Sequence, residues 1–174
     1  MARMRNELLY RFEGSLTGGT PIGLVTDGLR ADNTFAGTIV QGELKGAHLD
    51  GIDYFRVRAD GVGVVNAKEI LTLDQHTIAV DVHGYVLPPE GLPTPSLEEM
   101  ANPDFTWPDV PLVIEAFATF ETVSPVFAHL NKVTVVHTGW VNMATGELGV
   151  NASRPATAEQ TQATATPAYA SYPG

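Results

Sequence analysis

The sequence predicts an all-β fold, a small antiparallel up-and-down β-barrel, and two observations carry that reading. Residues 53–58 and 77–86 alternate strictly between two faces, which is the period of a half-buried strand. The chain also holds 17 Gly and 12 Pro and sets no amphipathic helices between its apolar runs, which excludes a parallel α/β sheet. Eight or nine short strands in up-and-down order are expected. Such strands are expected to close on themselves, because closure removes exposed edges.

The elements follow in order. Leu8 to Leu16 reads as a first strand, ended by Gly18, Gly19 and Pro21. Ile22 to Leu29 reads as a second, followed by a turn at Asp32, Asn33 and Thr34. Phe35 to Leu44 is β-rich, with bulges or bends expected at Gly37 and Gly42, and Lys45 to Gly51 reads as loop. From Asp53 to Arg58 the pattern is clearest. Asp53, Phe55 and Val57 share one face; Tyr54, Arg56 and Arg58 share the other. Asp60-Gly61 is a hairpin signal, and Val62 to Leu73 runs back. After a turn at Asp74-Gln75-His76, Thr77 to Val86 sets Ile78, Val80 and Val82 against Ala79, Asp81, His83 and Tyr85.

Leu87 to Pro111 breaks the pattern with seven prolines. Within it, Ser96 to Met100 can form one helical turn, with Ser96 as N-cap and Glu98 and Glu99 in the first turn. A segment of this length is either a lid over a binding site or a surface excursion packed by Phe105 and Trp107. Leu112–Thr122, Lys132–Val141 and Glu147–Asn151 complete the strands, linked by Ser124–Leu130 and by a turn at Met143–Gly146. The barrel domain is therefore expected over residues 1–151, with the insert at 87–111. Residues 152–174 are Ala, Thr, Gln and Pro with little charge and no apolar period, and read as a disordered tail.

Composition narrows the function. Hydrophobic residues make up 44% and charged residues 17%, enough apolar surface for a sizeable core. The net charge is −10 with 10 Lys and Arg, which argues against nucleic acid and anionic membrane as partners. No cysteine is present, so disulfides, thiolate metal sites and thiol catalysis drop out together. Neither a signal-peptide run nor a stretch of roughly 20 apolar residues occurs. A soluble, cytoplasmic protein is expected.

Several strings then stand out in order: Gly51-Ile52-Asp53-Tyr54 with Arg56 and Arg58, Ala59-Asp60-Gly61, Asn66-Ala67-Lys68, Phe120-Glu121-Thr122, Ala128-His129-Leu130-Asn131, and Val135 to Gly139. Their order and spacing resemble the bacterial and fungal domain-of-unknown-function family 3237, over most of Leu8 to Asn151. The resemblance implies a calycin-like barrel similar to allene oxide cyclase and dirigent proteins. It implies an apolar or aromatic small molecule held in the barrel, frequent homo-oligomers, and in some members cyclisation or coupling without a cofactor. The chain departs from the family at Lys68, where arginine is expected, at His129, where an aromatic is usual, and in its longer insert. The family carries no agreed catalytic set, so fold and cavity transfer more safely than mechanism.

The five histidines, His48, His76, His83, His129 and His137, form no H-x-H or H-x-x-x-H pair, so no metal is expected. Phosphate-binding glycine motifs and a serine elbow are also absent, and no cofactor is expected. General acid–base chemistry remains. Asp53, Tyr54, Arg56, Lys68 and Glu121 are the candidate catalytic groups, and Glu115, His83, His129, Asn131 and Trp107 the candidate ligand contacts. A carboxylate in an apolar lumen has a raised pKa suited to proton exchange near neutrality, and an arginine or tyrosine can steady a developing oxyanion. The competing reading puts Tyr54, Arg56 and Arg58 on a wet outer face with partners such as Glu69, and Asp81, His83 and Glu115 likewise outside. A bulge near Gly51 would be needed to bring Asp53 and Arg56 to one mouth. Three functions stay open: a cofactor-independent isomerase, cyclase or lyase acting on a small apolar or aromatic metabolite; a binding or carrier barrel; and an oligomeric interaction module whose barrel is filled by side chains.

Overall fold

A computed structural model describes residues 6–155. Eight strands form one closed barrel in chain order, each antiparallel to the next: β1 (Glu7–Val25), β2 (Gly28–Gly42), β3 (His48–Val57), β4 (Gly63–Leu73), β5 (His76–Leu87), β6 (Pro111–Glu121), β7 (Thr134–Asn142) and β8 (Glu147–Arg154). β8 closes the ring by pairing with β1 from Glu7 to Ser15. The predicted all-β up-and-down barrel is the observed architecture. β8 runs on to Arg154, and the rest of the predicted tail lies outside the described residues.

The first third of the chain departs from the sequence reading. Gly18, Gly19 and Pro21 do not end a strand; β1 continues through them to Val25. Beyond Leu16 this strand has β2 as its one strand partner among the described residues, and proline is tolerated at such an edge because no ladder donor is required there. The expected turn at Asp32–Thr34 lies in mid-strand, where those residues pair with Gly18–Thr20 on one side and Ile52–Tyr54 on the other. The true turn is at Thr26-Asp27, followed by Gly28 at φ +136°. β3 already begins at His48, inside the expected loop.

Alternate residues of each strand point inward. The two ends of the barrel then differ. At the end holding the β2–β3 and β4–β5 turns, Ile39, Leu44, Leu49, Leu71, Ile78 and Val135 are at most 1% exposed and make a solid floor. Leu130, from a single 3₁₀ segment (Ala128–Lys132), completes it. At the other end the insert between β5 and β6 lies across the rim. Its short helix α1 (Leu97–Ala101) starts in a capping box formed by Ser96 and Glu99, as the sequence predicts, and rests against β1 and β2. Leu97 and Met100 pack on the core.

Candidate functional site

Between floor and rim the barrel is not filled. A cavity of about 80 Å³ remains, walled mainly by Phe12, Phe35, Phe55, Val65, Val82 and Ile114. Small residues help to leave this space. At Gly51 an added Cβ would stand 2.3 Å from the Phe35 ring, so the ring lies flat on β3 where a side chain would otherwise be. Ala67 and Ala118 are also inward-facing and buried.

Five polar side chains face this space: Asp53, Glu69, Asn33, Tyr10 and His137. Asp53 arrives from β3 on the face that carries Phe55 and Val57, as the alternation predicts. Its Oδ1 accepts a 2.8 Å hydrogen bond from the Asn66 amide. Burial raises its pKa to about 6, against the lowering effect of that bond, and the Asp32 charge adds to the rise. Glu69, on β4, pairs with Gly51 and stands two residues deeper than Ala67, the partner of Asp53. At about 3.3 Å per residue that step is roughly 7 Å. Glu69 is 8% exposed, and its buried Oε2 has no hydrogen-bond partner among the described residues. Burial, reinforced by the Asp53 charge, pushes its pKa to about 8. The competing, structural reading of the sequence makes Glu69 an outer-face partner of Tyr54, Arg56 and Arg58. Glu69 faces inward, because it shares the parity of Val65, Ala67 and Leu71.

On the opposite wall Tyr10 Oη and His137 Nε2 lie 3.0 Å apart, both almost wholly buried. Both pair with Ala152 of β8, from either side, which brings their rings together over one small residue. Burial lowers the His137 pKa to about 4, so its imidazole is neutral at neutral pH. Burial and the Glu69 charge hold the Tyr10 phenol well above its usual value. Among the described residues the lumen lining contains no lysine or arginine.

Of the ten candidate residues named from sequence, Asp53 alone lines the lumen. β3 is regular from Thr38's partner His48 to Val57, without the bulge that would turn Arg56 inward. Arg56 Nη1 instead reaches Asp27 outside the barrel at 3.3 Å. Tyr54 lies outside under Arg30, 5.9 Å from its ring centre. Lys68 and His83 are both held by Asp81, at 2.6 and 3.0 Å. Glu115 stands opposite Tyr85 on the outer face, and Glu121 ends β6, exposed. Near the floor His129 meets Glu43 at 2.5 Å, and Asn131 binds the backbone of Thr122. Trp107 sits in the insert, edge-on to Phe105. Tyr10, Glu69 and His137, which the sequence reading did not place in the site, are the groups Asp53 joins.

The chain matches no protein-family model and, by sequence, no curated protein. Solved structures do share its fold. A conserved protein of unknown function from Rhodopseudomonas palustris is 16% identical with a TM-score of 0.68, covering 88% of this chain and 99% of that one. A β-barrel-like protein from Acinetobacter baumannii is 19% identical with a TM-score of 0.67, covering 88% and 97%. A structure described as an enzyme from Penicillium herquei is 19% identical with a TM-score of 0.55, covering 88% and 98%. At these identities the likeness establishes the barrel and leaves the chemistry to the residues inside it.

Proposed function

We propose that the protein is a cofactor-independent proton-transfer enzyme, an isomerase, cyclase or lyase, acting on a small apolar or aromatic carbonyl compound held in the lumen. One observation carries the reading: two buried carboxyl groups share an apolar cavity, and their surroundings set their pKa values about two units apart, at about 6 and about 8. Environments that split a carboxyl pair in this way define an acid and a base. At neutral pH Asp53 is the base and Glu69 the acid. Asp53 takes a proton from carbon beside the carbonyl, and Glu69 gives its proton to the carbonyl oxygen. An enol forms; where it is conjugated with a β,γ double bond, the proton on Asp53 returns to the γ-carbon while the Glu69 carboxylate takes back the enol proton, so the carbonyl and both carboxyl groups are restored and only the double bond has moved. On the order of its residue strings we also assign the chain to the domain-of-unknown-function family 3237, and we expect it to act as a homo-oligomer.

The test needs no knowledge of the natural substrate. β-Tetralone in deuterated water, followed by proton NMR, should exchange its α-protons faster with the protein than without it. Asp53→Asn and Glu69→Gln should each lower that rate by about 10²–10⁴-fold, the usual worth of a positioned acid or base, with melting temperatures showing both variants folded. Exchange should be bell-shaped in pH, rising near 6 and falling near 8, limbs that belong to the coupled pair. Undiminished exchange in Asp53→Asn would remove it from the chemistry.

A further inference from the structure

A second chamber of about 70 Å³ lies between the barrel rim and the proline-rich insert. Its walls are Pro89, Leu92, Met100, Trp107 and Val110 from above and Val57 and Leu112 from below. Among the described residues the Thr94 hydroxyl and the Trp107 indole are its polar side-chain groups, and no charged one lines it. Phe55, Val86 and Met143 line this chamber and the lumen alike, so the two spaces meet at these three residues. The Phe55 ring lies against Gly63, where a Cβ would stand 2.5 Å from it, and Met143, in the β7–β8 turn, is an unbranched side chain that readily changes rotamer.

We infer that the two chambers form one bipartite site for an elongated molecule, with an uncharged carbonyl or hydroxyl head deep in the lumen and an apolar tail passing Phe55 and Met143 to lie beneath the insert. This rests on the proposed lumen function and names its substrate class. The polarity is uneven: Tyr10, Asn33, Asp53, Glu69 and His137 line the lumen, whereas the roof is mostly apolar and offers only the Thr94 hydroxyl and the Trp107 indole among the described residues. The head is uncharged because the lumen already holds two carboxyl groups and, among the described residues, offers no lysine or arginine to an anion. The tail must be long. From Gly51, level with Glu69, to Phe55 is four residues along β3, roughly 13 Å at 3.3 Å per residue, and the roof lies beyond.

The full chain carrying Trp140→Phe keeps Trp107 as its single tryptophan, since the sequence contains two, and Trp140 lies outside the barrel, 40% exposed. This protein is titrated with acetophenone, octanophenone and decanoate, following binding by calorimetry and Trp107 by fluorescence. Octanophenone is expected to bind at least tenfold more tightly than acetophenone and to shift the Trp107 emission, while acetophenone binds without that shift and decanoate binds least. Met100→Glu should weaken octanophenone about tenfold and leave acetophenone unchanged. If both ketones bind equally and Trp107 is silent, the bipartite site is wrong and the lumen reading stands. If neither ketone binds, the lumen reading itself fails. Tightest binding by decanoate would overturn the uncharged head. The fluorescence result needs no substitution in the roof, so a misfolded Met100→Glu leaves the test intact.

Discussion

Glu69 ties the chemistry of the site to the stability of the protein. Its carboxyl ionises only above about pH 8 in the fold, whereas in an unfolded chain it ionises near pH 4.3. The folded state therefore holds a proton that the unfolded state has lost, and stability falls as pH rises through that window. Asp53 acts in the same sense up to about pH 6. His137 acts oppositely: buried neutral, with a pKa of about 4, it makes stability fall as pH drops below about 6.5. Between pH 6.5 and 8 Glu69 dominates these three. Denaturant melts there should show a loss of about 1.4 kcal/mol per pH unit, and Glu69→Gln should flatten the slope. A separate expectation concerns Tyr10→Phe, which strands His137 Nε2 in a dry site. It should cost about 1–3 kcal/mol, measured by the same melts. Asp53 was legible in the sequence because it shares parity with Phe55 and Val57. Glu69 was legible in principle, by parity with Val65 and Leu71, but its neighbour Lys68 made the pair look like one wet face. Tyr10 was hidden by the register shift between Leu8 and Tyr10, which breaks the alternation that would have placed it.

In β5 and in the Asp53–Val57 part of β3 the alternation groups residues by face as the structure does, because each strand buries one side, but it leaves open which side that is. The long hairpin of β1 and β2 departs from its sequence reading. Its glycines, Pro21 and the Asp32-Asn33-Thr34 run are turn-formers in isolation, yet each of Asp32, Asn33 and Thr34 is paired on both sides. Tertiary pairing overrides local propensity here. Asn33 even faces the lumen. The insert shows the opposite case: its helical turn and cap were local signals, and local signals sufficed. At this scale the floor is the element that seals the cavity. Leu130→Ala should cost about 2–5 kcal/mol by leaving a void in it, and the loss should appear in the denaturation midpoint rather than in ligand affinity for the roof. A midpoint unchanged by that substitution would mean the floor is not closely packed.

The described barrel is a vessel with a solid base, a mostly apolar middle and a covered mouth. Closure of β8 onto β1 is what buries the middle; burial raises both carboxyl pKa values, and the Asn66 hydrogen bond to Asp53 together with the Asp53 charge on Glu69 helps to set them apart. The sequence disclosed the vessel, through strand period and turn spacing. Its contents were obscure because alternation says which residues share a face and not which face is inside. The direct test is a ¹³C NMR titration of the Glu69 side-chain carboxyl in the intact protein. A sheltered lumen predicts that it is protonated at pH 7 and titrates near 8. A carboxyl already ionised at pH 6, titrating in the ordinary range near 4.3, would show that water reaches it freely and would contradict the account.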